Sequence, residues 1–361
     1  MIKCMRVNKG SDRIRLGIIG CGAITENSHL PAALSSSMVD VTALCDTNES
    51  RLRFLERQFG LQSIGFLDYR DTFARVDAVI LALPNHLHAS VGCEFLLRGI
   101  HVLCEKPLAL TRSECEELCR TSQNTGAVLA TGYVTRFFPS TDLTKELIES
   151  DFLGLLTSFD YEFGTEEGWA PLSGYNLMRS TSGGGVLVVS GSHFIDRMLF
   201  LFGDTKLTNY ADDSRGGVEA NCVVMVNSNV RGNSIRGCIT LSKTHNLNNR
   251  LRVSGSKGIL EIREGQKLSV TYFPAHSRLR HEIYYAGTVP SAIDEDYFRV
   301  QLEDFILAIL MKSEPRINRE QGSVSVTFME ECYKIARSLD EPWVDSTLQH
   351  FKTVLQPDCH S

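Results

Sequence analysis

Two side chains in this sequence combine reactive chemistry with a framing pattern: Lys106, in Glu105-Lys106-Pro107, and His193, in the stretch GGGVLVVSGSHFID from Gly183 to Asp196. An ammonium on the turn after a parallel strand lies at the carboxyl edge of the sheet, where ligands bind. There its charge lowers the pKa of a bound alcohol and polarises the corresponding carbonyl. An imidazole, whose unperturbed pKa lies near operating pH, suits proton exchange with the same oxygen. Each also has a plainer reading, the lysine as a solvated charge and the histidine as a packed core residue. A third cluster, Gly20-Cys21-Gly22-Ala23-Ile24-Thr25, follows a buried-type strand and opens a helix, and Asp46 ends the next strand. Such glycines let the backbone approach a pyrophosphate, the helix amino terminus favours its charge, and Asp46 accepts hydrogen bonds from the adenosine ribose. A carboxylate repels a 2′-phosphate, and Thr47 follows instead of an arginine, so NAD is expected ahead of NADP. Thr25 replaces the usual third Gly or Ala, which requires the helix to stand slightly off the strand.

The elements that must position these groups are legible as a change of period. From Ile14 the chain alternates short apolar runs with helical patterns: IRLGIIG, VDVTALCD (39–46), VDAVILALP (76–84), HVLCEKP and AVLATGYV read as strands. Between them, ESRLRFLERQFG sets Leu52, Leu55 and Phe59 on one helical face before Gly60, and Thr111 with Glu114 forms a capping box. This is a doubly wound α/β domain with a parallel sheet, assigned to residues 1–137. Residues 138–361 read as an α+β domain with a large, mostly antiparallel open sheet, from SFDYEF through KLSVTYF, and helices near 140–150, 193–202, 296–311 and 322–338. Helices are expected to cover one sheet face and leave the other for a partner subunit, as a homodimer or homotetramer. Ile195, Met198, Leu199 and Phe202 make the stripe that anchors the helix of His193, with His193 and Asp196 off it.

Composition narrows the function classes. A net charge of −6 gives no electrostatic reason to expect nucleic acid. No apolar run approaches membrane-span length and the amino terminus lacks a signal-peptide core, so no membrane partner and a cytoplasmic location are expected. Eleven scattered cysteines argue for reduced thiols, and Cys115 with Cys119 lacks further ligands at zinc spacing, so no metal is expected.

Taken in order, GCGAIT, Asp46, LPNHLH (83–88), EKP, Tyr133 through Phe137 and the GGG-to-HFID stretch resemble the Gfo/Idh/MocA family, named for glucose-fructose oxidoreductase, inositol dehydrogenase and a rhizopine catabolism protein. The resemblance implies a Rossmann domain, an open-sheet substrate domain, and nicotinamide at their junction. Its implied activity is hydride transfer between the nicotinamide and a secondary hydroxyl or carbonyl of a sugar, cyclitol or nucleotide sugar. It implies Lys106 and His193 as catalytic groups. It implies Leu83, Pro84, Asn85, His88, Glu105 and Lys106 as cofactor contacts beside Gly20, Gly22, Ala23, Ile24 and Asp46. Arg136, Trp169, Tyr175 and Arg179, together with His193, are the expected substrate-pocket residues, since aromatics stack on sugars and arginines recognise carboxylate or phosphate. Val189 departs from the resemblance, because many members carry there an Asp that orients the imidazole or binds substrate hydroxyls. A redox-neutral glycosidase using NAD transiently, and a non-catalytic dinucleotide-binding regulator, are the alternatives the same resemblance implies.

Overall fold

Apolar runs without polar alternation make strands buried on both faces, and here they pair in parallel. The computed structural model describes residues 13–62, 64–166, 174–286 and 296–339. In it β1 (Ile14–Ile19), β2 (Val39–Cys45), β3 (Gly65–Phe66), β4 (Ala78–Leu81), β5 (His101–Cys104) and β6 (Leu129–Thr131) form one sheet in the order β3-β2-β1-β4-β5-β6. Every pairing in it is parallel. The strand order reverses between β1 and β4, which is where such sheets open a crevice for ligands. Helices α1 (Leu30–Ser35), α2 (Glu49–Phe59), α3 (His88–Leu96) and α4 (Arg112–Thr125) connect the strands. Asn48 caps α2, Gly60 ends it in the left-handed region, and Thr111 and Glu114 close a capping box on α4. The two-residue β3 is too short to show a periodicity.

The second half adds α5 (Pro139–Glu149), β7 (Leu156–Gly164), α6 (Arg179–Ser182), α7 (Val186–Val189) and α8 (Gly191–Phe202). It continues with β8 (Thr205–Asp212), β9 (Asn221–Val230), β10 (Asn233–Ser242), β11 (Arg250–Gly255), β12 (Gly258–Arg263), β13 (Ser269–Pro274) and β14 (His281–Tyr284). Helices α9 (Tyr297–Met311) and α10 (Arg319–Lys334) and a short β15 (Arg337–Ser338) complete it. These strands form a nine-stranded sheet in the order β14-β13-β12-β11-β7-β10-β9-β8-β15, antiparallel except for β7 with β10 and β8 with β15. On its inner face Phe159 stacks on Phe202 at 4.0 Å between ring centroids, and Tyr161 and Phe163 meet Phe194. The outer face is charged: Asp160 lies opposite Arg252 and Glu162 opposite Arg250, and Glu261 bridges Arg250 and Arg263. On the same face, Val223, Met225, Ile259 and Phe273 add apolar positions to these charges.

Two helices depart from the expected layering. Leu302, Phe305 and Ile306 of α9 pack with Leu16, Ile18 and Leu30, so α9 covers the first sheet rather than the second. Helix α10 sits between the two halves: Thr131 N donates to Ile317 O just before it at 3.2 Å, and Ser325 within it reaches Asp196 of α8 at 3.2 Å. Helix α8 is consequently buried nearly all round, with Phe194, outside the predicted stripe, as its aromatic contact to the sheet.

The glycine run before α7 is fixed by a buried carboxylate. Glu219 accepts from Gly185 N at 2.8 Å, Leu187 N at 2.9 Å and the Tyr333 hydroxyl at 2.8 Å. A Cβ on Gly185 would stand 1.9 Å from the Glu219 carbonyl oxygen, which is backbone and cannot swing aside, whereas one on Gly184 would meet the tip of the Tyr333 side chain. Gly185→Ala is expected to lower stability by about 1–3 kcal/mol, and by more than Gly184→Ala, in urea unfolding of the two variants.

Candidate active site

Strand β5 ends in Cys104, and the following turn holds its polar groups tightly. Glu105 meets His29 Nε2 through Oε1 at 2.7 Å and accepts from Lys106 N through Oε2 at 3.0 Å. Burial pushes this carboxyl up, but the His29 hydrogen bond and charge and the neighbouring Lys106 outweigh it and bring the group down to about 2. The Lys106–Pro107 peptide is cis. Lys106 Nζ donates to the Val189 carbonyl at 2.7 Å, joining the first sheet's turn to the segment before His193. Burial lowers the Lys106 pKa, with Glu105 opposing and Lys243 adding to the fall. A lowered ammonium donates its proton to a reacting oxygen more readily.

His193 stands in the first turn of α8, half-buried, with the Tyr133 ring edge-on to it at 6.1 Å. Its Nδ1 is sealed from solvent and has no hydrogen-bond partner. Burial first, and then the Lys106 charge, push the imidazole down to about 3, so it is the free base at neutral pH. Asp196 does not serve as its partner: Oδ2 takes Arg136 Nε at 2.7 Å and Oδ1 takes Arg136 Nη2 at 2.8 Å and Ser325 Oγ at 3.2 Å. Val189 offers its backbone carbonyl to Lys106 in place of a carboxylate to the imidazole.

The glycine turn is shaped for a dinucleotide. Gly20 has φ +99°, and a Cβ there would strike the Ala82 carbonyl at 2.2 Å, whereas the space over Gly22 is open to 4 Å. Thr25 opens a π-helical turn, Thr25–His29, and donates to the Gly20 carbonyl at 2.6 Å, so the residue that breaks the usual pattern braces the turn. Ala23 and Ile24 are half-buried at its start. Asp46 accepts from Cys21 N and Asn48 N, both at 2.8 Å, and Arg51 Nε donates to the Cys21 carbonyl at 2.6 Å while pairing with Glu26. Each oxygen of Asp46 keeps a lone pair, as a ribose hydroxyl needs.

The remaining predicted residues divide. Leu83 and Pro84 line the β4 turn half-buried, and Asn85 donates to the Ser182 carbonyl at 2.8 Å across the two halves. His88 is fully buried, with Nδ1 at 2.8 Å from the Pro107 carbonyl and Nε2 at 2.9 Å from the Leu83 carbonyl. Burial lowers its pKa, so the neutral ring donates its single N–H to one of these two carbonyls, and both nitrogens face the protein. Arg136 is 5% exposed and held by Asp196, which removes it from the expected pocket: its guanidinium is spent on the ion pair. Arg179 lies over the Tyr333 ring, 4.5 Å from its centroid, beside a cavity of about 370 Å³ lined by Pro107, Leu110, Gly183 and Val188. That cavity abuts the Lys106 turn without including Lys106 or His193. Tyr175 is half-buried; burial raises its phenol, and the charge of Glu105 reaches it. Trp169 falls outside the described residues.

A family model described as an oxidoreductase family NAD-binding Rossmann fold matches residues 14–133, and a second, its C-terminal alpha/beta domain, matches residues 145–344. The chain belongs to the Gfo/Idh/MocA oxidoreductase family. Among family relatives, dTDP-3,4-didehydro-2,6-dideoxy-alpha-D-glucose 3-reductase of Actinomadura kijaniata is 26% identical over 336 residues, 91% of this chain and 97% of that one. D-glucoside 3-dehydrogenase of Escherichia coli is 27% identical over 218 residues, which is 59% of this chain and 61% of the relative. A shorter match, 29% over 196 residues and 51% of the relative, is to 2,7-anhydro-N-acetylneuraminate hydratase of Mediterraneibacter gnavus, covering 52% of this chain. A solved 3-ketoreductase from Actinomadura kijaniata, in complex with NADP and TDP-benzene, superposes with TM-score 0.79 at 22% identity, covering 90% of this chain and 98% of that chain.

Several residues that shape this family site carried no local signal. His29 follows the glycine turn by less than two helical turns from Gly22, but its partner Glu105 is 76 residues away. Glu219 and Tyr333 meet only through the fold. The free-base imidazole has a measurable signature. Between pH 6.5 and about 3 the unfolded chain protonates His193 while the fold keeps it neutral, so stability is full above pH 6.5 and falls with pH through that window. Glu105 acts lower, its contribution disappearing between pH 4.5 and about 2. His193→Gln is expected to flatten the decline of the urea midpoint between pH 6.5 and 4.5 relative to the parent protein.

Proposed function

We propose that this family member is an NAD-dependent dehydrogenase acting on a secondary hydroxyl of a sugar, cyclitol or nucleotide sugar, with Lys106 and His193 as its catalytic residues. The observation that carries the reading is the Lys106 Nζ to Val189 carbonyl bond, which holds the ammonium beside the segment that presents His193. One of three ammonium protons is used there, leaving two for the reacting oxygen. Lys106 stabilises the charge that develops on that oxygen, and His193, neutral and with Nε2 unpaired, accepts its proton. A bound NAD supplies the hydride acceptor at nicotinamide C4. His193 takes up the proton in the oxidation direction and returns it in reduction. Asp46 supports NAD over NADP, and the tight turn at Gly20 with the open space over Gly22 supports the pyrophosphate position.

The name of the Mediterraneibacter gnavus relative favours one second reading, a reaction without net redox change. The two readings separate by absorbance at 340 nm when purified protein and NAD are offered sugars and cyclitols: accumulation of NADH supports the dehydrogenase, and product without NADH supports the alternative. A homodimer or homotetramer in the cytoplasm belongs to the proposal too, and light scattering in solution gives the subunit number. Lys106→Met and His193→Ala are each expected to lower kcat by roughly 100-fold or more; turnover that survives both overturns the assigned roles. Asp46→Ala is expected to narrow the preference for NAD over NADP, measured as the ratio of kcat/KM for the two cofactors; an unchanged ratio removes Asp46 from ribose recognition.

A further inference from the structure

A second lysine, Lys243, stands on the same side of the fold without a hydrogen bond or ion pair among the described residues. Lys243 follows the last residue of β10 and continues the β9–β10 ladder by one step, its N–H donating to the Ala220 carbonyl at 2.9 Å. Side chains alternate between the faces of a strand. Leu241 faces the helices: its Cδ1 lies 2.5 Å from where a Cβ on Gly191, at the head of α8, would stand. Ser242 turns the other way, donating to Asn221 Oδ1 at 2.6 Å. Lys243 therefore returns to the helix-covered face, one step beyond Leu241 and toward the α7–α8 segment that carries Val189 and His193. Its ammonium makes no hydrogen bond or ion pair among the described residues, and its charge is felt at Lys106.

Among the described residues, the carboxylates that reach the two lysines are hydrogen-bonded to other groups. Both Glu105 oxygens are taken, by His29 and by Lys106 N. Glu219, next to Ala220, attracts Lys243 through space, yet its oxygens are held by Gly185, Leu187 and Tyr333. Glu166, at the adjoining end of β7, is exposed and makes no ion pair with Lys243. Val189 brings a carbonyl and an isopropyl group, where a carboxylate would have balanced one of the two ammoniums. Two ammoniums on this side of the site, neither in a direct ion pair among the described residues, leave N–H donors for an anionic ligand.

We propose that Lys243 is a substrate-binding residue and that the substrate is an anionic sugar, bearing a carboxylate or phosphate on the ring that presents its hydroxyl to Lys106 and His193. The proposal rests on the Lys106–His193 cleft being the sugar site, and it adds the charge that this cleft selects.

The test compares matched ligands on the full chain loaded with NADH: glucose, glucuronate and glucose 6-phosphate, with galactose and galacturonate as a second series. Binding is read from NADH fluorescence and, in parallel with NAD, turnover is read at 340 nm. At least one charged ligand is expected to bind about 10-fold or more tightly than its neutral counterpart, and the carboxylate and phosphate arms identify which anion is preferred. Lys243→Met is expected to bring that ratio close to one and Lys243→Arg to retain it, with the thermal midpoint of each variant checking that it folds. Val189→Asp is expected to reduce the ratio from the opposite side of the cleft. Equal binding of charged and neutral ligands, a ratio that survives Lys243→Met, or no binding across the panel overturns the proposal. Turnover of neutral sugars alone overturns it while leaving the dehydrogenase reading intact. A Lys243-dependent preference for the charged ligands without hydride transfer upholds it and overturns that reading.

Discussion

An ammonium enclosed by protein must be held by partners, and Lys106 finds its partner across the join between two sheets. The bond from its Nζ to the Val189 carbonyl is directional in a way that a carboxylate pairing is not. It fixes where the charge sits without neutralising it. Behind the lysine, Glu105 is turned inward to His29 and to the Lys106 backbone N–H, so its charge supports the turn while the cationic tip remains available. Burial, and after it the Lys106 charge, keep His193 deprotonated. One backbone acceptor thus sets the position of the ammonium beside the segment of His193.

That arrangement requires α7 to present its carbonyl in one orientation, and two polar clusters secure it. Glu219 holds the amino end of α7 from β9's approach, and Tyr333 of α10 closes the same carboxylate. Further along, Arg136, Asp196 and Ser325 lock α8 to the 3₁₀ turn after β6 and to α10. Buried charges of this kind cost desolvation, and replacing one partner leaves the other stranded. They specify one placement of the helix rather than adding much net stability.

What could be read from the sequence was whatever local spacing encodes. The glycine turn, Asp46 at a strand end, the capping box at Thr111 and the alternation in SFDYEF each announce themselves within a few residues, and the order of the motifs identified the family. Contacts made at long range stayed hidden. Nothing near Arg136 indicated that Asp196, 60 residues on, would claim its guanidinium. Nothing in the pattern of 297–311 distinguished a helix covering the second sheet from one folding back on the first. His88 matched a motif position yet lies buried between two carbonyls, because burial is set by the packing of two turns. Lys243 carried no local signal for the reverse reason: a lone lysine at a strand end looks solvated until the fold brings it near Glu219.

Helix α10 gives the two sheets a common structural member. It begins beside β6, where Asn318 bridges Ala130, presents Ser325 to α8, offers Glu330 to the Arg112 backbone at the head of α4, and ends near Glu219 through Tyr333. The two sheets are therefore tied together on this side by a single helix. A change in α10 thus reaches the end of β6 and the helix of His193 together.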